Sequence, residues 1–242
     1  MAQARDFLVR NVQLVAFTAS GDFDSSRVLT TVLSTFSKDF SGRVEVLPFS
    51  EEVPAEIPRV ELGSKDGTFA LSAAPARTSV AWVEREGSGL SAEQLAAKVE
   101  YCSKVLSCCF ADSPVRVNRL GFIVTNVFLT TNPAQQLIQQ FCDPRCHAAE
   151  SELSPLRNSQ GFQLHNFKAY PCDLDVFPIN SWVRCMSGAL ASDGSIAMIV
   201  EQDLNTASGN ETDRQFGVNE IRSYFTKAVP EAQKILSLYF PD

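Results

Sequence analysis

The chain of 242 residues contains only two histidines, His147 and His165. Histidine is the side chain that most readily transfers protons near neutral pH, so a histidine-dependent enzyme would have to use one of these two. Basic residues are also few and scattered: 21 Lys and Arg stand against 28 Asp and Glu, for a net charge of −7. Because phosphate neutralisation needs a basic surplus, this charge argues against nucleic-acid binding.

Long apolar runs are missing as well. No stretch approaches the roughly 20 apolar residues of a membrane-spanning helix, and the first ten residues lack the apolar segment of a secretory signal. The sequence therefore predicts a cytoplasmic protein without membrane contact, whose seven cysteines are reduced. Gly87-Ser88-Gly89 lacks the lysine and the spacing of a phosphate-binding loop, so we expect no cofactor.

Phenylalanine, by contrast, is abundant, with 17 copies against four Tyr and two Trp. Phe has no polar group that needs a partner, so the excess indicates broad apolar faces that pack against each other. Hydrophobic residues make up 45% of the chain, as in ordinary globular proteins.

The first half of the chain predicts a strand, a helix, a group of strands and a second helix. Alternating apolar residues indicate a strand from Val9 to Phe17. Asp24 is a suitable N-cap for the helix that follows. Asp66-Gly67 between two apolar runs is typical of a hairpin turn, and Ser91 opens a capping box before the second helix.

The second half repeats this order. A long strand is predicted over residues 115–129, and Asn132 followed by proline indicates the start of a helix. A second hairpin turn falls at Asp193-Gly194. The last helix carries apolar residues from Val218 onward, and Pro230 is expected to kink or restart it.

The distances between matching features support a repeat with one insertion. The first helices start 108 residues apart, whereas the hairpin turns and the second helices, at Ser91 and Asn219, are 127 and 128 residues apart. The difference places an inserted loop at about residues 142–160. We therefore predict an α+β fold of two tandem units, 1–114 and 115–242, which form one compact pseudo-symmetric body with the helices on one face. An unrepeated α+β domain is the alternative.

Two such sheets can join edge to edge, which removes two exposed edges and leaves an uncovered face as a binding platform. Arg and Trp are the residue types that dominate binding interfaces. The candidates beside predicted strands are Arg59, Arg77, Trp82, Trp182 and Arg184. For Trp82 a place in the core is at least an equal alternative.

A second kind of site is indicated by Cys142, Cys146 and His147, with His165 and Cys172 downstream. Cysteine and histidine are good zinc ligands, and Cys146 with His165 as its base would suit a thiol hydrolase. The spacing matches no common zinc motif, and adjacent Cys and His rarely point at one metal. An exposed loop with incidental thiols is the alternative.

The segments Pro58–Val60, Ser64–Gly67 and Pro75–Trp82 resemble the central hairpin of a sporadically distributed, uncharacterised bacterial family of similar length. In that family a proline precedes a strand, a Ser-x-Asp-Gly turn, a second strand and Pro-x-Arg-x-x-Val-x-Trp. Asp203 fits its strand that ends in Asp before the last helix. The resemblance implies no activity. The duplicated plan also resembles the TATA-binding-protein saddle, which would imply nucleic-acid binding.

Three functions are compatible with these features. The leading hypothesis is a non-enzymatic binding or accessory protein of a bacterial-type cytoplasm, which recognises a protein partner through the open sheet face. The second is a Cys- or metal-dependent hydrolase centred on Cys142–Cys172. The third is a nucleic-acid-binding saddle, against which the charge argues. The sequence indicates neither the partner nor the oligomeric state.

Overall fold

The computed structural model describes residues 1–19, 23–47, 53–85, 87, 89–111, 113–146, 159–171, 178–191, 193–207 and 215–242, with the backbone alone at Pro178. Nine strands form one antiparallel sheet in this part of the chain, and four helices pack on it. The strands are β1 (Leu8–Thr18), β2 (Arg43–Val46), β3 (Val60–Gly63), β4 (Phe69–Ala74), β5 (Arg77–Val83), β6 (Val117–Leu129), β7 (Gln163–Pro171), β8 (Pro178–Ala189) and β9 (Ile196–Thr206). The helices are α1 (Ser25–Phe36), α2 (Ala92–Cys108), α3 (Pro133–Phe141) and α4 (Val218–Tyr239).

The strands lie in the order β2-β3-β4-β5-β1-β6-β9-β8-β7. The strands of the first half of the chain therefore lie next to each other, from the β2 edge to β1, and those of the second half extend from β6 to the β7 edge. Strands β1 and β6 pair at the middle of the sheet. The predicted α+β class is confirmed, as is the order strand, helix, strands, helix in each half.

The central pair β1–β6 is apolar on its helix-covered side because both strands alternate with period two. The pairs that face the helices are Val12 with Val124, Leu14 with Phe122, and Ala16 with Leu120. All six side chains are buried. These residues make the junction between the halves part of one continuous core.

The N-caps of the first helices, Asp24 and Asn132, lie 108 residues apart, as predicted. The N-caps of α2 and α4 lie 126 residues apart, since α4 begins after Gly217, two residues before the predicted start. The superposition of the two halves stays a prediction.

The long helices α2 and α4 lie side by side on the sheet, α2 over β1 and β5, and α4 over β6 and β9. The apolar face of α2 is buried, with Leu95, Val99, Cys102 and Leu106 at helical spacing along it. Helix α4 continues through Pro230 as one helix, so the predicted restart does not occur. No helix among the described residues combines the length and apolar character required to cross a membrane.

Candidate functional site

All four helices lie on one side of the sheet, and within the described residues no helix covers the other side, here called the open face. Residues directly opposite each other in paired strands point to the same face. One row crosses the open face from the centre to the β7 edge: Gln13, Ile123, Asp203, Trp182 and Phe167. The predicted uncovered platform is therefore present in the described part of the chain.

The outer end of this row is formed by two aromatic residues, Phe167 of β7 and Trp182 of β8. The two residues are cross-strand neighbours, and their ring centroids lie 4.5 Å apart at an interplanar angle of 39°. Phe167 is 47% exposed and Trp182 is 38% exposed. Two large rings are thus held in contact with each other and with solvent, at the edge of the sheet.

Charged side chains stand next to the rings. Arg184 lies one step along the same face of β8, and its Nη1 donates to Glu201 Oε1 across the strand pair. Asp203 lies opposite Trp182 and accepts a hydrogen bond of 3.1 Å from Asn205 Nδ2. The aromatic patch is defined here as Phe167, Trp182, Arg184, Glu201 and Asp203.

Glu201 and Asp203 lie inside β9 rather than at a strand end, because this strand extends from Ile196 to Thr206. Neither of these carboxylates, nor Phe167, was predicted on the open face from the sequence. The alternation of His165, Phe167 and Ala169 with the other residues of β7 was the available signal, since it places an aromatic residue on the face of Trp182.

The first-half side of the open face contains Arg77, which is exposed. Arg77 lies opposite Phe17 on β1, and Phe17 in turn lies opposite Arg119 on β6. The guanidinium carbon of Arg119 stands 3.8 Å from the centre of the Phe17 ring, a cation–π contact. Three of the five predicted interface residues, Arg77, Trp182 and Arg184, therefore lie on the open face.

The other two do not. Trp82 points to the helix-covered side, opposite Val12, and is only 4% exposed, with Lys98 Nζ 5.7 Å from its ring centre. Arg59 is buried beside β3, where its guanidinium donates to backbone carbonyls. The expectation that Arg59 lies on the open face is wrong, because local hydrogen bonds turn its side chain inward. For Trp82 the core alternative holds, because strand parity places its side chain on the helix-covered side.

Two cysteines of the second predicted site lie just after α3: Cys142 directly follows the helix, and Cys146 ends the short 3-10 turn Pro144–Cys146. Burial, and then the neighbouring Cys146, raise the pKa of the Cys142 thiol. A raised pKa leaves less of the thiolate that binds metal or attacks a carbonyl. Asp143 and Arg145 form an ion pair of 3.0 Å between these cysteines.

His165 lies on β7, with its Nε2 2.7 Å from Gln163 Nε2, and no hydrogen bond within the described ranges joins it to Cys146. His147 and Cys172 lie outside the described residues. No group of three or more Cys, His, Asp or Glu in the described ranges is placed to hold a metal ion. The hydrolase and zinc hypotheses stay predictions.

The aromatic patch thus combines exposed ring surface, the ion pair of Arg184 with Glu201, and the Asp203 carboxylate beside the rings. In protein interfaces, aromatic rings supply buried area and charges fix orientation. No protein-family model, curated protein or solved structure matches the chain.

Proposed function

We propose that this chain is a non-enzymatic accessory protein that binds a protein partner through the open face, with the aromatic patch as the centre of the contact. The single observation that carries the proposal is the exposed pair of touching rings, Phe167 and Trp182. Large apolar side chains that stand together at a surface mark interaction sites more often than isolated ones do. Tryptophan beside arginine is also the composition typical of interface hot spots.

The charges of the patch indicate the chemistry of the partner. The negative charge of Glu201 neutralises the positive charge of Arg184. The carboxylate of Asp203, beside Trp182, is therefore available to a cation of the partner. The whole chain carries a net charge of −7, which attracts basic surfaces. The expected partner surface is therefore an apolar side chain flanked by lysine or arginine.

The test begins with recovery of the native complex from the source cells, followed by titration of the purified partner against variants. Trp182→Ala should weaken binding at least tenfold, since hot-spot truncations cost about 2 kcal/mol or more. Asp203→Lys should weaken it through repulsion of the basic rim. Val46→Ala is the control, because Val46 is also an exposed apolar residue but lies on β2 at the opposite edge of the sheet.

Unchanged affinity in Trp182→Ala, or equal losses in Trp182→Ala and Val46→Ala, would contradict the proposal. Recovery of nucleic acid as the only retained partner, with binding that weakens steeply as salt is raised, would instead favour the saddle hypothesis.

A further inference from the structure

A groove of about 520 Å³ lies on the helix-covered side of the sheet, between the edge strand β7 and the last turns of α4. Strand β7 contributes Asn166, Lys168 and Tyr170 to its lining. These three residues share one face of the strand because side chains alternate, and Phe167 between them points to the open face. The groove and the aromatic patch therefore lie on opposite faces of the same strand.

Most of the groove lining can be reached from solvent. Leu238 on α4 is 73% exposed, and Lys168 and Lys234 are exposed as well. The aromatic residues of the lining are half-buried. Only Ser181 and Ile235 of the lining residues are buried. A ligand in the groove would thus contact the charged and apolar side chains directly.

The ammonium group of Lys168 is held in a defined position in this groove. Its Nζ donates to Asn166 Oδ1 at 2.7 Å and to Tyr239 OH at 2.6 Å, and it stands 4.8 Å from the centre of the Tyr239 ring. Both acceptors are uncharged, and no carboxylate among the described residues forms an ion pair with Lys168. Because an ammonium group has three N–H donors, one donor and the positive charge are available to a ligand.

The remaining charges of the lining are already paired with each other. Glu231 is the one carboxylate that lines the groove, and its side chain is only 13% exposed. Its Oε1 accepts a hydrogen bond of 2.7 Å from the Tyr170 hydroxyl, and its Oε2 lies 3.7 Å from Lys234 Nζ. Two lysines against one glutamate leave a positive surplus in a chain whose net charge is −7. Such a surplus attracts anions.

The apolar part of the lining is formed by Leu238 and by the rings of Phe141 and Tyr239. The two ring centroids lie 6.1 Å apart at an interplanar angle of 64°, so the rings form one aromatic wall. Ligand sites are typically concave and mostly apolar, have volumes of about 300–1,000 Å³ and carry a few polar groups that fix orientation. The groove has this size and this combination of groups.

We propose that the groove binds a small molecule with a carboxylate group and an apolar body. The carboxylate accepts a hydrogen bond from Lys168 Nζ, while the apolar body lies against Leu238 and the aromatic wall. An inorganic anion would leave the apolar part of the groove unused, and an uncharged molecule would leave Lys168 without a counter-charge. The site does not depend on the partner-binding function, because it lies on the other face of the sheet.

Isothermal titration calorimetry at low ionic strength with three probes tests the proposal: 2-naphthoate, 2-naphthamide and acetate. We expect 2-naphthoate to bind at least about fivefold more tightly than 2-naphthamide, which has the same shape without the charge. Acetate, which lacks the apolar body, should bind more weakly than 2-naphthoate. Absence of 2-naphthoate binding up to its solubility limit, or equal affinity for 2-naphthoate and either other probe, would overturn the proposal.

A lysine variant locates the charged end of the ligand. Lys168→Met keeps most of the length of the side chain but removes its charge, so the preference for 2-naphthoate over 2-naphthamide should disappear. The control is Lys65→Met, the same substitution at an exposed lysine in the β3–β4 turn, which should leave the preference intact. A preference that persists in Lys168→Met would refute the assignment.

A variant of Leu238 locates the apolar body. Leu238→Asp replaces an exposed apolar side chain of the groove by a negative charge, so the fold should persist while 2-naphthoate binding weakens at least about fivefold. Val46→Asp changes the net charge equally at an exposed position on β2 and should leave binding unchanged. Circular dichroism spectra that match the wild type establish that both variants are folded. Unchanged binding in Leu238→Asp, or equal losses in both variants, would place the probe elsewhere and overturn the proposal.

Discussion

Arg59 is the largest side chain that the described part of the fold buries completely. Its Nη1 donates to Ile57 O at 2.8 Å, and its Nη2 donates to Val53 O at 3.0 Å and to Pro54 O at 3.4 Å. A buried charge is tolerated only when hydrogen bonds replace its hydration. The guanidinium thus holds residues 53–57, the segment before β3, in place through hydrogen bonds. This is a structural role, whereas the residue type suggested a role in an interface.

Arg59→Met should lower the free energy of unfolding by about 2–4 kcal/mol, because the three carbonyls lose their donor inside the protein. The control is Arg77→Met, the same substitution at an exposed position of β5, which should stay within about 0.5 kcal/mol of the wild type. Urea denaturation followed by circular dichroism measures both values. Similar losses in the two variants would contradict this role for Arg59.

At the scale of elements, the first helices of the two halves begin differently. The Asp24 carboxylate accepts hydrogen bonds from the backbone N–H groups of Ser26 at 2.9 Å and Arg27 at 3.1 Å. Asn132 occupies the matching place before α3, but its side chain makes no capping hydrogen bond. Two positions that look alike in sequence therefore contribute differently to stability.

Asp24→Ala should reduce the free energy of unfolding by about 1 kcal/mol, the usual effect of losing an N-cap side chain. Asn132→Ala should change it by only a few tenths of a kcal/mol, since no capping bond is lost. Thermal or urea unfolding of the two variants side by side checks the difference. An equal effect at both positions would show that the cap of α1 contributes nothing of its own.

The β3–β4 turn contains a carboxyl group, that of Asp66, whose protonation changes the stability of the fold. The Asp66 carboxylate accepts hydrogen bonds from the Ser64 hydroxyl at 2.6 Å and from the Thr68 N–H at 3.0 Å, and these lower its pKa from 3.8 to about 2. A carboxyl group whose pKa is depressed in the folded state stabilises the fold above its unfolded pKa. This contribution is lost as the pH falls from about 4 through about 2.

Asp66→Asn should therefore have a lower urea midpoint than the wild type at pH 6, and the gap should narrow as the pH is lowered from 4 to 2. The variant keeps the size of the side chain and removes only its charge. Val46→Asp, which adds an exposed carboxylate on β2, serves as a control without turn hydrogen bonds. If the difference in urea midpoint between Asp66→Asn and the wild type stays the same at every pH, titration of Asp66 does not contribute to stability.

Local chemistry explains which elements the sequence predicts well. Capping residues and Asp-Gly turns act within a few residues, so the starts of α1, α2 and α3 and both hairpin turns were predictable, and Gly67 and Gly194 adopt positive φ of 73° and 75°. Strand order and the length of β9 depend on distant partners, which periodicity does not encode. The face on which Trp82 lies also depends on the distant partners of its strand, so the sequence left both the open face and the core as alternatives.

The sites were predictable in part. Trp182 and Arg184 could be named as interface candidates because of their residue types and because the sequence predicts a strand around them. Both lie on the open face, where the interface hypothesis places them. Phe167 was missed because its face is known only once the strand register is correct.

At the scale of the whole molecule, the junction of β1 with β6 and the contact of α2 with α4 hold the two halves together. Leu14 and Phe122, at the centre of the junction, are both fully buried. Separation of the halves would expose a long apolar strand edge on each and one side of each long helix. Such edges pair or aggregate rather than remain in water.

Fragments 1–114 and 115–242 should therefore fail to fold when produced alone, yet form a 1:1 complex when produced together. The cut falls between α2 and β6 and interrupts no hydrogen-bonded strand or helix. Size-exclusion chromatography with light scattering gives the stoichiometry, and the thermal unfolding of the complex shows whether it melts in one transition. Leu14→Lys in the first fragment should prevent assembly, because it places a charge at the buried centre of the junction. A soluble monomer of 1–114 with its own cooperative unfolding transition would mean that the first half is a domain in its own right and that the junction is only a docking contact.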